Sequence, residues 1–278
     1  MVIVFPGQGS QHAGMGRELF AKYPRQAEEA SSILGYDLPA LCIEDRERKL
    51  SRTEYTQPAL FVVNALSYLD RGSPRPSHFA GHSLGEFNAL WAGGAFDFAT
   101  GVRLVRKRGE LMARVRGGGM AAVIGLPPLQ VRKVLASSAV DVANYNSYDQ
   151  TVVSGLKEDI DAAIPLLERA EAKHVVPLDV SAPFHSRHMK ETEVELAAFL
   201  ETQPIALPHT PVVANATALP YEKDVRSTLL RQICGSVRWI ESVEYLLRSG
   251  EKEFVEVGPG NVLTKLIRNI RERTPFAN

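Results

Sequence analysis

Short runs of consecutive apolar residues alternate with amphipathic stretches along the chain. Val2–Phe5 is apolar at every position, which predicts a strand buried on both faces of a sheet. Over residues 56–69 the apolar positions follow helical spacing, and Pro58 suits the first turn of a helix, where its missing N–H has no partner to lose. Strand-like runs followed by helical periodicity predict an α/β fold.

The middle of the chain, after the break at residues 117–119, shows a second arrangement. Its strand-like and helix-like runs follow the order β-α-β-β-α-β, which is the signature of a ferredoxin-like unit. These runs cover residues 120–124, 127–135, 140–143, 151–154, 158–168 and 174–178. We therefore expect a large α/β-hydrolase-like domain over residues 1–116 and 182–278, with a ferredoxin-like small domain inserted at residues 117–181.

The remaining patterns belong to the predicted large domain. Asp97 is the expected N-cap of a helix over residues 98–115. Strands are predicted at 211–214 and 253–257, and helices at about 187–200, 225–233, 237–247 and from 261 through Arg273.

Composition narrows the class of protein. Lys and Arg together number 32, as do Asp and Glu, so no charge bias points to nucleic acid or to an anionic membrane as a partner. The two cysteines form neither a metal-like spacing nor a disulfide framework. No apolar run approaches a membrane span, and the start of the chain reads as a strand rather than a signal peptide. We expect a cytoplasmic, monomeric protein.

Gly81, Ser83 and Gly85 form a Gly-x-Ser-x-Gly pattern between a short extended run and a helix-forming stretch. In a nucleophile elbow the chain turns from strand to helix so sharply that only glycines fit around the serine. The serine hydroxyl then stands at the positive end of the new helix, near backbone N–H groups that can form an oxyanion hole. The same pattern occurs in ordinary glycine-rich turns, but this context favours Ser83 as a nucleophile.

A serine nucleophile requires a base, and the chain has seven histidines. His82 neighbours Ser83, so its ring should point away from the hydroxyl. His78 and His174 lie at the starts of predicted strands, and His209 lies in a loop between two prolines. The remaining candidates are His12, His185 and His188. Among these we favour His185, because it lies where the chain leaves the small domain and crosses back towards the interdomain cleft, where substrates tend to bind.

The helix predicted over residues 98–115 carries a charge on its apolar face. Arg108 lies on the same stripe as Leu104, Leu111 and Met112. A guanidinium aimed into the core must meet an anion, because an unpaired buried charge is strongly destabilising. Two partners for Arg108 are possible. One is a carboxylate of the protein core, and the other is the carboxylate of a substrate held in a bidentate contact.

The order of these residues argues against an ordinary esterase. An α/β-hydrolase carries its serine, then an acid, then a histidine near the C-terminus. Here no histidine follows His209, and a ferredoxin-like insertion does not belong to that scheme.

Seven motifs resemble those of the malonyl-CoA:acyl-carrier-protein transacylases, and most closely the free-standing acyltransferases that serve polyketide synthases in trans. The resemblance covers essentially the whole chain, and the motifs occur in the family's order. They are Phe5-Pro6-Gly7-Gln8-Gly9-Ser10-Gln11, Thr56-Gln57-Pro58-Ala59, Gly81-His82-Ser83-Leu84-Gly85-Glu86, Lys107-Arg108-Gly109, Gly118-Gly119-Met120-Ala121-Ala122, Phe184-His185-Ser186 and Val257-Gly258-Pro259-Gly260.

The resemblance implies catalytic roles. Ser83 would be acylated and His185 would be its base. In the family a backbone carbonyl, rather than an aspartate, orients the histidine, and the matching position is Gln232. The backbone N–H groups of Gln8 and Leu84 would form the oxyanion hole.

The resemblance also implies the substrate. Arg108 would bind the malonyl carboxylate, with Gln8 also at the substrate. An aromatic residue before the histidine, here Phe184, goes with malonyl rather than methylmalonyl in polyketide relatives, because its ring would fill the space of an α-methyl group.

The implied reaction moves a malonyl group from malonyl-CoA, through a serine ester, to the phosphopantetheine thiol of an acyl carrier protein in polyketide or fatty acid biosynthesis. No cofactor is expected, because phosphopantetheine is carried by the partner. Two alternatives stay open: an acyl hydrolase that clears carrier proteins, and a catalytically silent docking module. Arg108 argues against the hydrolase, and the intact Ser83 and His185 argue against the docking module.

Overall fold

The computed structural model describes residues 1–180 and 182–274, which form two β-sheets flanked by helices. The strands are β1 (Val2–Phe5), β2 (His78–Gly81), β3 (Gly118–Ile124), β4 (Asp141–Ser147), β5 (Gln150–Leu156), β6 (His174–Pro177), β7 (Val212–Val213) and β8 (Phe254–Glu256). The helices are α1 (Arg17–Lys22), α2 (Pro24–Leu34), α3 (Leu38–Glu44), α4 (Thr53–Asp70), α5 (Gly85–Ala92), α6 (Phe98–Arg114), α7 (Pro128–Val134), α8 (Lys157–Arg169), α9 (Lys190–Glu201), α10 (Val225–Cys234), α11 (Trp239–Arg248) and α12 (Val262–Arg273). Short 3₁₀ turns lie at Lys49–Ser51 and Arg187–Met189.

The first sheet is parallel, with strand order β7-β2-β1-β8. Its central strand β1 is buried on both faces, as its continuous apolar run predicts. Ile3 and Phe5 belong to the core that includes residues of α4, α5 and α6, whereas Val2 and Val4 pack with α11 and α12 on the other face. The carboxyl ends of β1 and β2 therefore open onto the same edge, where ligands bind in open α/β sheets.

The second sheet is antiparallel, with order β4-β5-β3-β6. Alternate residues of β3 face opposite sides. Ala121 and Val123 form a small core with α7 and α8, whereas Met120 and Ala122 face the large sheet's side of the molecule. The sheet thus closes one wall of a cleft.

These two sheets confirm the predicted fold class, a large α/β unit with a ferredoxin-like βαββαβ insertion. The domain boundaries stay a prediction, and the one at residue 181, like residues 275–278, lies outside the described residues. Among the helices of the described chain, none combines the length and the apolar character that crossing a membrane requires.

One predicted helix start is wrong. Helix α4 begins at Thr53, so Pro58 lies inside the helix and not in its first turn. The extra turn is held by contacts that the local sequence does not show, because Thr53 Oγ1 donates to Gln8 Oε1 at 2.7 Å and Thr56 Oγ1 donates to the carbonyl of Leu50 at 2.6 Å.

Helices α4 and α6 pack closely, and this packing positions the site. Asp97 caps α6 as predicted, since its side chain accepts from the N–H of Thr100 at 2.7 Å. A Cβ at Gly101 would lie only 2.3 Å from the ring of Phe61, so only glycine permits this approach. The approach brings Arg108 of α6 against Gln57 of α4.

Candidate active site

Ser83 occupies a sharp turn between β2 and α5. Its φ of 52° lies in the left-handed region, which costs a residue with a side chain about 1–3 kcal/mol. A Cβ at Gly81 would lie 2.0 Å from backbone atoms of Gly85, and a Cβ at Gly85 would lie 2.0 Å from the carbonyl oxygen of Phe5. The flanking glycines are therefore sterically required, and the turn has the geometry of a nucleophile elbow.

Asn215 holds this turn from the other side, a role that no local pattern in the sequence indicates. Its Oδ1 accepts from the N–H of Ser83 at 2.7 Å, and its Nδ2 donates to the carbonyl of Gly81 at 2.6 Å. The two contacts tie Asn215 to the strained Ser83 itself and to Gly81, two residues before it. The buried Asn215 side chain thus offsets part of the strain at Ser83.

His185 is the histidine that contacts the nucleophile. Its Nε2 lies 2.8 Å from Ser83 Oγ, and its Nδ1 lies 2.8 Å from the carbonyl oxygen of Gln232. Because a carbonyl only accepts, Nδ1 carries the proton and Nε2 presents its lone pair to the hydroxyl. His185 is also strained, with a φ of 57°. The structure therefore brings Ser83, His185 and Gln232 together as predicted.

The other candidate histidines lie elsewhere. His12 is exposed, with Nδ1 3.1 Å from the carbonyl oxygen of Ala13, and the backbone N–H of His188 donates to Ser186 Oγ at 3.3 Å. The Nε2 of His82 lies 2.8 Å from Asn146 Oδ1 on β4, so this ring nitrogen is bound to the small sheet.

Burial keeps the His185 imidazole neutral. Removal from water, together with the positive charge of Arg108, lowers the pKa of His185 to about 3. At neutral pH the imidazole is therefore free to accept the proton of Ser83. An aspartate would stabilise the imidazolium more strongly than the Gln232 carbonyl does.

Arg108 is almost wholly buried, and its partners are neutral oxygens. Nη1 donates to Gln57 Oε1 at 2.7 Å, and Nη2 donates to Gln232 Oε1 at 2.8 Å and to Ser83 Oγ at 3.1 Å. Within the described residues no carboxylate lies within salt-bridge distance, and Nε has no partner. Burial lowers the pKa of Arg108 to about 10, against the raising effect of Glu86, so the group stays charged. The structural ion pair, one of the two alternatives, is not found in the described chain.

Glu86 is a buried carboxyl in the Gly81–Glu86 motif, and the sequence alone predicts no role for it. Its Oε1 accepts from the N–H of Asn215 at 3.0 Å and from Tyr221 Oη at 2.6 Å, and its Oε2 accepts from Gln232 Nε2. Burial raises its pKa to about 7, although these hydrogen bonds and Arg108 oppose the rise. Its burial had a local signal, because the residues of α5 apart from Glu86 and Asn88 are glycine, alanine or large apolar residues, but its distant partners had none.

Two backbone N–H groups, those of Gln8 and Leu84, belong to residues that line the cavity at the nucleophile. Gln8 follows β1 and Leu84 follows Ser83, and both line the same cavity as Ser83. Within the described chain neither N–H forms a hydrogen bond. Free donors beside a nucleophile are what an oxyanion hole requires, so the placement of both residues agrees with their predicted role.

A cavity of about 260 Å³ leads to Ser83 between the two sheets. Phe184, Met112 and Met120 line it, together with Val262 and Leu266 of α12. Phe184 is buried beside the dyad, in the place from which a ring can limit the size of an acyl group.

An elbow serine, a neutral histidine and free backbone donors at the edge of a parallel sheet define an enzyme class that carries acyl groups on serine. The chain belongs to the acyl transferase domain family, and the model of that family matches residues 2–275. It is 49% identical over 277 residues to the polyketide biosynthesis malonyl CoA-acyl carrier protein transacylase PksC of Bacillus subtilis, covering 97% of this chain and 96% of that protein. It is 40% identical over 282 residues to the malonyl CoA-acyl carrier protein transacylase of Escherichia coli K12, covering 96% and 91%.

A solved structure agrees with the assignment. The crystal structure of a malonyl CoA-acyl carrier protein transacylase from Burkholderia pseudomallei superimposes with a TM-score of 0.94 at 42% identity, covering 99% of this chain and 98% of that one.

Proposed function

We propose that this enzyme transfers a malonyl group from malonyl-CoA, through an ester on Ser83, to the phosphopantetheine thiol of an acyl carrier protein in polyketide biosynthesis. The observation that carries the proposal is the charged guanidinium of Arg108, which lies 3.1 Å from Ser83 Oγ with neutral partners. A cation so placed is matched to an acyl group that ends in a carboxylate. The names of the relatives support the same substrate and partner.

Acylation begins with proton transfer from Ser83 Oγ to Nε2 of His185, as the oxygen attacks the thioester carbonyl. The N–H groups of Gln8 and Leu84 stabilise the oxyanion of the tetrahedral intermediate. When the intermediate collapses, the C–S bond breaks and His185 returns the proton to the departing CoA sulfur. The malonyl group is then an ester of Ser83, and the enzyme is neutral at His185 again.

The second half-reaction runs the same steps in reverse with a carrier-protein thiol. His185 removes the thiol proton, the sulfur attacks the ester, and Ser83 leaves with that proton. Water competes at this stage. Arg108 opposes hydrolysis by gripping the malonyl carboxylate, which holds the ester carbonyl in the oxyanion hole.

Mass spectrometry tests the proposal directly. Brief exposure to malonyl-CoA should add one malonyl group to Ser83, and a phosphopantetheine-loaded carrier protein should then remove it and gain the same mass. Ser83→Ala should stay unmodified. Ser10→Ala, which changes a serine lining the same cavity, is the matched control and should still be acylated at Ser83. Acylation of Ser83→Ala would assign the nucleophile elsewhere.

The same experiment separates transfer from hydrolysis. Free malonate in place of malonyl carrier protein would assign the chain to the hydrolases. Comparing carrier proteins from polyketide and fatty acid synthesis tests the pathway. The monomeric state, the cytoplasmic location and the lack of a cofactor stay predictions.

A further inference from the structure

Glu86 is a wholly buried carboxyl group whose direct partners, within the described chain, are neutral groups that all donate to it, an arrangement that fits its ionised form. Two of them, the N–H of Asn215 and the hydroxyl of Tyr221, converge on Oε1. Its other oxygen, Oε2, accepts from the side-chain amide of Gln232. A buried carboxylate is costly, so its presence one residue from the nucleophile's turn calls for a function.

The Gln232 amide separates Glu86 from Arg108. Its Nε2 donates to Glu86 and also to the carbonyl of Ser83 at 2.9 Å, while its Oε1 accepts from Arg108 Nη2 at 2.8 Å. A carboxylate and a carbonyl only accept, and a guanidinium only donates, so the amide has one orientation that satisfies all three. The backbone carbonyl of the same residue holds His185.

We propose that Glu86 is a positioning residue, whose carboxylate fixes the Gln232 amide in the orientation that holds the Arg108 guanidinium beside Ser83. Glu86 does not touch the acyl group. It acts through Gln232 on the arginine that receives the malonyl carboxylate, so this inference rests on the proposed function.

A near-isosteric change exposes this role. In Glu86→Gln the new amide oxygen must face the backbone N–H of Asn215, because that donor cannot turn. The new NH₂ group then points at Gln232. If Gln232 keeps its orientation, two donors face each other there; if it turns over, its own NH₂ faces the guanidinium of Arg108. Either way one donor-donor contact remains, and Arg108 or Gln232 must move.

The test compares kcat/KM for malonyl-CoA and acetyl-CoA, because acetyl has no carboxylate for Arg108 to read. For Glu86→Gln we expect the malonyl-to-acetyl ratio to fall at least about tenfold, mostly through malonyl-CoA. A merely structural role would lower both rates together and leave the ratio as in the wild type. An unchanged ratio therefore overturns the proposal.

Two further variants serve as a control and as a second test of the same contact. Tyr221→Phe removes one donor to Glu86 but leaves the contact with Gln232, so it should lower the melting temperature without changing the ratio. Gln232→Met keeps the backbone carbonyl for His185 and removes the amide, so it should lower the ratio as Glu86→Gln does. If Glu86→Gln does not fold, Gln232→Met decides, and an unchanged ratio there overturns the proposal.

The wild type and Arg108→Ala, run in parallel, separate this inference from the proposed function. A wild type that is not acylated by malonyl-CoA contradicts the function itself. If the wild type prefers malonyl-CoA and Arg108→Ala loses that preference while Glu86→Gln keeps it, the role of Glu86 alone is wrong.

Discussion

The imidazole of His185 combines a position 2.8 Å from Ser83 Oγ with a pKa lowered to about 3 by burial and by Arg108. A base is lost only when pH falls to its own pKa, so this one stays available through the range near 6.5 where an ordinary histidine becomes charged. We expect Ser83 to react with a fluorophosphonate probe at a nearly constant rate between about pH 5 and 8.

The control is His185→Ala, which should slow labelling by about 10²–10⁴-fold at every pH in that window. A labelling rate that halves near pH 6.5 would show that the histidine titrates as if exposed.

Replacing Arg108 tests whether the enzyme selects its acyl donor by binding the donor's carboxylate. Replacing Arg108 with alanine removes a charge-assisted contact, so kcat/KM for malonyl-CoA should fall by two or more orders of magnitude, about 3 kcal/mol. Acetyl-CoA should be accepted as well as before or better, and hydrolysis should rise relative to transfer. Arg114→Ala, at an exposed position of the same helix, is the control and should change neither. Equal losses for both donors would leave Arg108 with a structural role only.

Phe184 tests steric selection beside the dyad. Phe184→Ser opens space at the cavity wall, so kcat/KM for methylmalonyl-CoA should rise about tenfold relative to malonyl-CoA, a difference within the 1–3 kcal/mol of one methylene. Phe184→Leu keeps most of the bulk and should retain the malonyl preference. Equal use of both donors by the wild type would contradict the steric explanation.

The sequence predicts the residues whose position follows from a local pattern. Ser83 is flanked by glycines that its turn requires, and Arg108 stands on an otherwise apolar stripe. Glu86, Asn215 and Gln57 were missed because their roles depend on partners distant in the chain, such as Asn215 and Glu86, which are 129 residues apart. No local spacing encodes such a contact.

At the scale of elements, the turn between β2 and α5 at Ser83 is stabilised by the side chain of Asn215, which lies far away in the sequence. Asn215→Ala leaves the N–H of Ser83 and the carbonyl of Gly81 without their partner, at a cost of about 1–3 kcal/mol for each group that stays dry. We expect the melting temperature to fall by several degrees and acylation of Ser83 to slow. Thr217→Ala, two residues further on, is the control. A variant as stable and active as the wild type would show that the glycines alone hold the turn.

The prediction of helix boundaries from the sequence is wrong where tertiary contacts override local signals. Pro58 reads as a first-turn residue, yet α4 extends five residues before it because Thr53 and Thr56 bond to other segments. Helices α1, α2 and α3 were not predicted. For α2 a signal was present, because Pro24 opens it and Gly35, with a φ of 82°, ends it.

At the scale of the whole molecule, several contacts join the small sheet to the segments that carry the site. The N–H of Val237 donates to Ala143 of β4 at 2.8 Å, and the N–H of Tyr145 donates back to Val237 at 2.9 Å. Asp141 of β4 accepts from the backbone N–H of Arg187 at 2.9 Å and pairs with its guanidinium, two residues after His185. The position of the base therefore depends on both sheets.

These contacts predict that the two sheets open as one cooperative unit. In native-state hydrogen exchange, the slowest amides of β1 and β2 and those of β3 and β5 should report the same opening free energy. Asp141→Ala removes a link between the sheets and should lower both values equally, because in a single unit every protected amide senses the same loss. Asp161→Ala, which breaks an exposed pair on α8, is the control and should change neither by more than about 0.5 kcal/mol. A lower opening free energy for β3 and β5 alone, in the wild type or in Asp141→Ala, would show that the small sheet unfolds on its own.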